Sequence, residues 1–489
     1  MHSYFWCNMS SPRELDIILF GATGVTGVYV VEELHRASEG LRWGVAGRSA
    51  DKLRQTLRTA AKNLDLEEDA LDKVPVIVAD VADEDSLLAM AKQTRLVLNT
   101  VGPYRFYGRQ VVKACVESGT HHIDVSGEPQ YLEQMQIEFY DEAQEKGVFI
   151  LGACGFDSIP AEMCLTYLRQ NFKGDLDQVE SFVFMKQGPQ GMKINFGTWQ
   201  SAMYGLAHAS ELVELRRQAR EKLFAKPQPP HQTRLARRNA LFWSDVAQGW
   251  CLPFLGSDRS VMLHSEMFRH QLRDTKPVQV QTYLRVPGFF SGVGLIFVAA
   301  MFGLLSMFGF GRWLLERFPG FFSAGMVKRG GPTREQALGC SFTMTMRGRG
   351  WKEKLAEATD RHTGNMDHSM IIRLDGPDPA YVTTAICMVQ VAVVVLMLTL
   401  YYLLPSLWSK RQPASSGDVA QSCSRCSDDG TWTIVTKVRG SKKISMYIQA
   451  DDSQKSSAQW LTVTEQGVCE TLSEKSACFH TEDDHEGTE

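Results

Sequence analysis

A chain of 489 residues is too long for one ordinary hydrophobic core, so we predict two or three domains. Its 44% apolar and 22% charged residues are typical of globular proteins. The net charge of −4, without a long basic run, gives no reason to expect nucleic-acid binding. The N-terminus lacks a secretory signal pattern, which favours an intracellular location and free thiols for the 11 cysteines. We predict no metal site, because Cys423 and Cys426 have no second pair at zinc spacing.

Three glycines follow the first apolar run of the chain. The run "LDIIL" leads into "FGATGVTG", and the helical pattern "VYVVEELHRA" comes next. Gly21 permits a tight turn, Gly24 lets backbone approach a phosphate, and Gly27 lets the helix pack closely on the strand. The free N–H groups at the helix start would face a pyrophosphate. We therefore predict a dinucleotide-binding turn, the alternative being a turn with a structural role alone.

Five more strand-like segments, separated by helical patterns, follow the turn. They occupy 42–47, 74–80, 96–101, 121–127 and 148–155. Short apolar strands alternating with helices predict an α/β fold with a doubly wound parallel sheet. We assign this N-terminal Rossmann domain to residues 13–176, after an N-terminal extension at 1–12.

The end of the second predicted strand indicates which dinucleotide binds. An NAD site usually has Asp or Glu there, whereas this chain has Arg48, which suits a 2′-phosphate. NADP is therefore favoured over NAD, unless Arg48 is a solvated loop residue and Ser49 a helix N-cap. The loop 99–104 lies where strand order should reverse, and we expect it to line the nicotinamide. The residues predicted to bind the cofactor are Gly21, Ala22, Thr23, Gly24, Val25, Thr26, Gly27, Arg48, Asp80, Asn99, Thr100, Val101, Gly102 and Pro103.

Several of these pieces together resemble one known family. They are "GATGVTG", "VAGRSADKL", "NTVGPY", "HHIDVSGE" and "CGFDSIPAE", in the family's order and spacing. The chain resembles the saccharopine dehydrogenase-like oxidoreductases, which are related to bacterial trans-acting enoyl reductases, over about residues 13–390. The resemblance implies a Rossmann domain, a nicotinamide cofactor and a second α+β domain. It does not imply a particular substrate.

The pattern changes at about residue 177. Strands are predicted at 181–187, 278–286, 341–351 and 369–374, and one long helix at 197–223. Alternation of apolar and polar residues along 278–286 predicts a sheet with one solvated face. We assign an α+β substrate domain to 177–378.

Acid–base groups are expected where the two domains meet. The candidates for proton transfer are Tyr104, Asp124, Glu128 and Asp157. Three of them also have a structural alternative: Tyr104 packs under its loop, Asp124 binds backbone N–H groups, and Asp157 caps a helix.

Two uncharged segments are unusual for such a domain pair. The first, 286–311, belongs to an insert at 286–325 and has the length of a membrane span, but a hairpin entering one leaflet fits equally. Its basic neighbours, Arg312, Arg317, Lys328 and Arg329, would lie at the headgroups. The alternative is packing on the second domain or a homodimer interface. The second segment, 379–409, is interpreted as a transmembrane helix, and 410–489 as a polar, disordered tail. The helix that should dock back on the first domain is not recognisable.

These features lead to one main hypothesis and two alternatives. The chain is interpreted as an NADP-dependent oxidoreductase acting on an apolar, lipid-like substrate at a cytosol-facing membrane or lipid-droplet surface. A catalytically silent nucleotide-binding membrane protein is the first alternative. A saccharopine reductase proper is the second.

Overall fold

The N-terminal sheet determines where a cofactor binds. The structure, a computed structural model, describes residues 13–37, 40–357 and 360–403, and five short strands beyond them. Six parallel strands lie in the order β3-β2-β1-β4-β5-β6, which is the order of a Rossmann fold. They are β1 (Leu15–Phe20), β2 (Trp43–Gly47), β3 (Val76–Val78), β4 (Thr94–Asn99), β5 (His121–Asp124) and β6 (Ile150–Leu151). The predicted doubly wound domain is confirmed.

Helices cover both faces of this sheet. They are α1 (Val25–Ala37), α2 (Ala50–Asn63), α3 (Glu84–Lys92), α4 (Tyr104–Ser118), α5 (Pro129–Lys146) and α6 (Ile159–Asn171). All residues of β1 are buried, as expected of a central strand with helices on both sides. The strand order reverses between β1 and β4, so their carboxyl ends form the crevice where ligands bind in such sheets.

The second domain is built on a nine-stranded mixed sheet, in the order β15-β16-β17-β14-β13-β7-β11-β10-β9. Its strands are β7 (Asp175–Lys186), β9 (Phe242–Ser244), β10 (Gly249–Pro253), β11 (Gln279–Arg285), β13 (Ser341–Trp351), β14 (His368–Pro377), β15 (Arg425–Cys426), β16 (Trp432–Val435) and β17 (Ser445–Asp451). The four strands predicted here are present, and β7 pairs with β11 in parallel. Two further pairs are β8 (Ile194–Asn195) with β12 (Val327–Lys328) and β18 (Trp460–Val463) with β19 (Cys469–Leu472).

Two details of this domain differ from the prediction. The second face of β11 is only partly solvated: Gln279, Gln281 and Arg285 are half-buried, and Tyr283 is 1% exposed and packs on Phe182 and Phe242. The predicted helix 197–223 is two helices, α7 (Phe196–Ala207) and α8 (Glu211–Leu223). The Gln130 side chain donates to the carbonyl oxygens of Gly205 and His208, which supplies partners to the end of α7.

The apolar insert is a helical hairpin. Its helices are α10 (Phe289–Ser306), α11 (Gly309–Arg317) and α12 (Pro319–Phe322), after α9 (Asp258–Arg273) and before α13 (Arg334–Leu338). A Cβ added at Gly311 would lie 2.2 Å from the Leu305 carbonyl oxygen, so this glycine permits α11 to approach α10 closely. Pairing of β12 with β8 returns the chain to the domain. Because 11% of α10 is buried, most of its apolar surface faces outward.

The second apolar segment docks on the first domain. A π-helical turn (Pro379–Thr383) leads into α14 (Thr384–Leu403). By length and composition α10 and Pro379–Thr399 both reach the size of a membrane span, but 67% of the latter is buried. Met388, Val389 and Ala392 are fully buried in the same core cluster as Val30 of α1. The transmembrane interpretation is therefore wrong for residues 384–396. This stretch is the helix that was expected to dock on the first domain and was not recognisable in the sequence.

Several expectations concern residues outside this description. The extension at 1–12 and Cys423 lie outside the described residues, as does most of the tail at 410–489. Within the tail, β17 pairs with β14. The described cysteines Cys115, Cys154, Cys164, Cys251, Cys340 and Cys387 are buried free thiols, as predicted.

Candidate functional site

A cavity of ≈ 1220 Å³ runs from the crevice of the first sheet into the second domain. It exceeds the roughly 300–1,000 Å³ of ordinary small-molecule sites, so it has room for a substrate beside a dinucleotide. Its walls come from the loops after β1, β2, β4, β5 and β6, from the loop before α9, and from α7, α10 and the turn before α14.

The glycine turn provides a bare surface for phosphate. Gly21 has φ +91°, a conformation that favours glycine, and Gly24 N donates to the Gly21 carbonyl oxygen at 2.9 Å. An added Cβ at Gly24 would have one close neighbour, that oxygen at 3.2 Å. At Gly27 it would lie 2.4 Å from the same oxygen, so this glycine serves helix packing. Gly21, Thr23, Gly24, Val25 and Thr26 line the cavity, whereas Ala22 and Gly27 lie behind them.

A basic corner adjoins this turn. Arg48 and Thr23, with Ser49 and Lys52, surround a smaller cavity of ≈ 310 Å³. Arg48 is exposed, and no salt bridge joins it to an acidic group among the described residues. Ser49 N-caps α2, accepting a hydrogen bond from Lys52 N. Lys52 was not among the predicted site residues; it lies in the first turn of α2, after the N-cap Ser49, and lines the same small cavity as Arg48.

The switch-point loop divides into lining and supporting residues. Thr100, Val101 and Gly102 line the cavity. Asn99 is fully buried and its Oδ1 accepts a hydrogen bond from Val101 N at 3.0 Å, so it stabilises the loop after β4 and does not line the cavity. Pro103 is the residue before α4 and does not line the cavity. Asp80 does line it, next to Val81 and Ala82.

Three of the four acid–base candidates are fully engaged in structural hydrogen bonds. The Tyr104 hydroxyl donates to the Asn99 carbonyl oxygen at 2.9 Å. Glu128 accepts from Tyr104 N, Arg105 N and the Ser201 hydroxyl, and so caps α4. Asp124 accepts from Ser126 N, Ala153 N and the Tyr131 hydroxyl. Burial raises the pKa of Asp124 to about 6, but Asp124 does not line the cavity.

Asp157 differs from these three. Like Tyr104 and Glu128 it lines the cavity, but its carboxylate lies between two glycines: an added Cβ at Gly127 would lie 3.4 Å from it, and one at Gly256 would lie 2.1 Å from it. Its Oδ2 accepts from Ser257 N at 2.9 Å, and its Oδ1 has no partner among the described residues. Burial raises the pKa of Asp157 to about 6. Burial, and then the charge of Asp157, raise the pKa of neighbouring Asp258 well above its ordinary value.

The C-terminal part of the chain fixes this region. Thr384 Oγ1 accepts from Phe156 N at 3.2 Å, and the Tyr381 hydroxyl accepts from Asn195 N at 3.0 Å. Pro379, Ala380 and Thr384 also line the cavity. The docking segment, residues 379–384, thus stabilises the loop that carries Asp157 and the part of the second domain at Asn195. The sequence offered no signal for these wall residues, because they come from segments that meet only in the folded chain.

Comparisons with known proteins relate this chain to one family. The family profile described as the saccharopine dehydrogenase NADP binding domain matches residues 17–151. A Homo sapiens saccharopine dehydrogenase-like oxidoreductase is 41% identical over 393 residues, which cover 79% of this chain and 90% of that protein. A Caenorhabditis elegans protein named lipid droplet localized protein is 37% identical, over 77% of this chain and 88% of its own length. Saccharopine dehydrogenase (L-Glu forming) of Saccharomyces cerevisiae aligns with a TM-score of 0.42 at 13% identity, over 79% and 92% of the two chains.

Proposed function

The chain belongs to the saccharopine dehydrogenase-like oxidoreductase family and carries that family's NADP-binding domain. From this premise we propose that it transfers a hydride between NADP and an apolar, lipid-like substrate at a membrane or lipid-droplet surface. The observation that carries the proposal is the position of α10. This exposed apolar helix contributes Ala299, Phe302 and Gly303 to the wall of the cavity that begins at the glycine turn.

The cofactor end of the cavity fits NADP. The N-terminus of α1 and the bare backbone at Gly24 suit a pyrophosphate, and the corner formed by Arg48 and Lys52 suits a 2′-phosphate. When bound, the nicotinamide supplies or accepts the hydride. Thr100, Val101 and Gly102 lie at the switch point and line the part of the cavity where we expect the nicotinamide ring.

We assign the proton transfer to Asp157. In the reducing direction, hydride addition leaves an electron pair on a substrate atom, and that atom must receive a proton. Asp157 lines the cavity and has a carboxylate oxygen without another partner, whereas Tyr104, Asp124 and Glu128 use their polar atoms in structural contacts. A pKa raised to about 6 makes the protonated form of Asp157 accessible near neutral pH, and neighbouring Asp258, whose pKa is raised well above its ordinary value, would supply it with a proton.

The hairpin supports a location on lipid. Phe290, Phe297, Phe310 and Phe321 are 86%, 70%, 72% and 80% exposed, and such a patch is rare on a protein surrounded by water. Basic residues in and after the hairpin support this proposal: Arg312 and Arg317 belong to α11, Lys328 is exposed, and Arg329 covers the Phe196 ring at 4.2 Å. The name of the C. elegans relative agrees with a lipid-droplet surface.

The proposal is tested by NADPH consumption. Purified full-length protein is incubated with NADPH and either a lipid extract in phosphatidylcholine vesicles or a water-soluble extract of the same cells. We expect oxidation with the lipid extract, abolished by Gly24→Val, which places a branched side chain at the phosphate surface. NADPH binding without turnover in any extract would favour the catalytically silent alternative. Turnover confined to the water-soluble extract would favour a saccharopine-type reductase.

A further inference from the structure

Helix α10 has two apolar faces with different surroundings. On one face Phe290, Phe297 and Leu304 are 86%, 70% and 59% exposed. On the other, Phe302 is 9% exposed and packs on the Trp199 ring at 4.3 Å, while Ala299 and Gly303 also line the cavity. An α-helix with side chains is about 10–12 Å thick. The cavity and the outward apolar surface are therefore separated by the thickness of one helix.

The wall opposite α10 is uncharged and mostly apolar. We call the part of the cavity lined by α7, α8 and α10 the outer cavity. Its apolar lining comes from Ala202, Gly205, Leu206 and Ala209 of α7 and the segment after it and from Leu212 of α8, and its polar lining comes from Thr198 and Ser201 in the first half of α7. An added Cβ at Gly205 would meet no heavy atom closer than 3.9 Å, and one at Gly303 would meet none within 4 Å. Side chains therefore leave space on both sides of the outer cavity.

The charged groups of the cavity lie elsewhere. Arg48 and Asp80 belong to the cofactor end, and Glu128, Asp157 and Lys193 come from loops between the two ends. Lys193 donates to the Gly325 carbonyl oxygen at 2.6 Å, so its charge is held at the base of the hairpin. The wall of the outer cavity contributes no charged side chain. Because burying a charged group without a partner costs desolvation free energy, such a wall favours an uncharged hydrocarbon chain as its ligand.

We propose that the outer cavity is an acyl-chain subsite, which a lipid enters sideways from the lipid surface around α10. The polar end of the lipid then reaches Asp157 and the nicotinamide, while its chain stays between α7 and α10. Lateral access spares the apolar chain an unfavourable passage through water. The identity of the reacting end rests on the proposed function, whereas chain binding does not.

A pair of glycine substitutions on α10 tests this subsite. Gly303→Phe places a ring in the outer cavity, and Gly294→Phe adds the same ring to an exposed position of the same helix, where an added Cβ also meets nothing within 4 Å. The probe is a fluorescent long-chain fatty acid in phosphatidylcholine vesicles, with a short-chain analogue for comparison. NADPH affinity and flotation with vesicles are measured in parallel as checks of fold and membrane contact.

The parent and Gly294→Phe should bind the long-chain probe more tightly than the short one. Gly303→Phe should lose about tenfold or more in long-chain affinity, while NADPH affinity and flotation stay unchanged. The subsite is refuted if Gly303→Phe keeps the preference for the long chain, or if the parent shows none. Probe binding requires no turnover, so an intact chain preference without NADPH oxidation would overturn the oxidoreductase proposal and leave the subsite standing.

Discussion

At the scale of single residues, the basic corner at the end of β2 is predicted to select NADP over NAD. Arg48→Asp removes a cation beside the expected 2′-phosphate and adds repulsion. Losing a charge-assisted hydrogen bond costs about 1.5–3 kcal/mol, so NADPH affinity should fall about tenfold to hundredfold while NADH affinity changes little. Titration of the full-length protein with both nucleotides measures this. Arg54→Asp, on α2 but outside the corner, is the control and should leave both affinities unchanged. Equal affinity of the parent for both nucleotides would contradict the assignment.

The carboxyl group of Asp157 is the second residue with a specific prediction. Asp157→Asn should lower the rate of hydride transfer to the identified substrate about 10²- to 10⁴-fold without changing NADPH affinity. Because the protonated carboxyl is the donor, the rate of the parent should fall as pH rises through the apparent pKa of the Asp157–Asp258 pair. The variant should lose this pH dependence.

Glu33→Gln serves as the control for Asp157→Asn. Glu33 is also a buried carboxyl whose pKa burial raises, to about 7, but it lies in α1 outside the cavity lining. Its replacement should leave the hydride-transfer rate and its pH profile unaltered. A parent-like pH profile in Asp157→Asn would show that Asp157 only holds the loop at Ser257.

Residues with local roles were predictable, and those with distant partners were not. The glycine turn follows from spacing within eight residues, and the cavity indeed begins there. Asn99 and Glu128, by contrast, looked like site residues but use their side chains in supporting hydrogen bonds. The Glu128 partners Tyr104 and Ser201 are 24 and 73 residues away, so no local pattern indicates them.

At the scale of elements, α14 makes the clearest prediction. Leu396 is 1% exposed in the core cluster shared with α1, and neighbouring Met397 is 56% exposed. Leu396→Ala should lower the free energy of unfolding by about 2–5 kcal/mol, because it removes buried apolar atoms and leaves a cavity. Met397→Ala should cost less than about 1 kcal/mol. Chemical denaturation of the two variants measures this. Equal effects would contradict docking of α14 in the core.

The hairpin α10–α12 is predicted to hold the protein on lipid. Phe290→Asp with Phe297→Asp should abolish flotation with vesicles or artificial lipid droplets, since both rings are largely exposed and carry no core packing. Leu272→Asp is the control, because Leu272 of α9 is 77% exposed outside the hairpin. NADPH affinity should stay unchanged in all variants. Flotation that survives the double substitution would remove the hairpin from the lipid contact.

Composition alone could not separate the two apolar elements. Both α10 and α14 are long uncharged helices, yet 11% of the first and 67% of the second candidate span is buried. The difference in burial depends on the neighbouring elements. Helix α1 packs against α14, whereas α10 packs on α7 and α11 with one face alone. The mixed sheet and the break between α7 and α8 likewise depend on tertiary contacts such as that of Gln130.

At the scale of the whole molecule, the two domains complete each other. The first domain contributes the glycine turn, and the second contributes the outer cavity and the exposed apolar helix α10. The docking segment joins them, since Thr384 and Tyr381 bind Phe156 and Asn195. The glycine turn of one domain and the exposed apolar helix of the other thus border a single cavity. The order of predicted strands indicated the cofactor end of the cavity. It did not indicate the shape of the outer cavity.

One measurement tests the central claim most directly, namely the transfer of deuterium from NADPH labelled at the nicotinamide C4 position. Full-length protein is incubated with this NADPH and with vesicles made from a cellular lipid extract, and the lipids are then analysed by mass spectrometry. Since the hydride moves directly from the nicotinamide to the substrate, deuterium should appear in a lipid product in step with NADPH oxidation. It should be absent with Gly24→Val. Clear NADPH binding with no deuterium in any lipid, or deuterium in water-soluble products alone, would contradict the account.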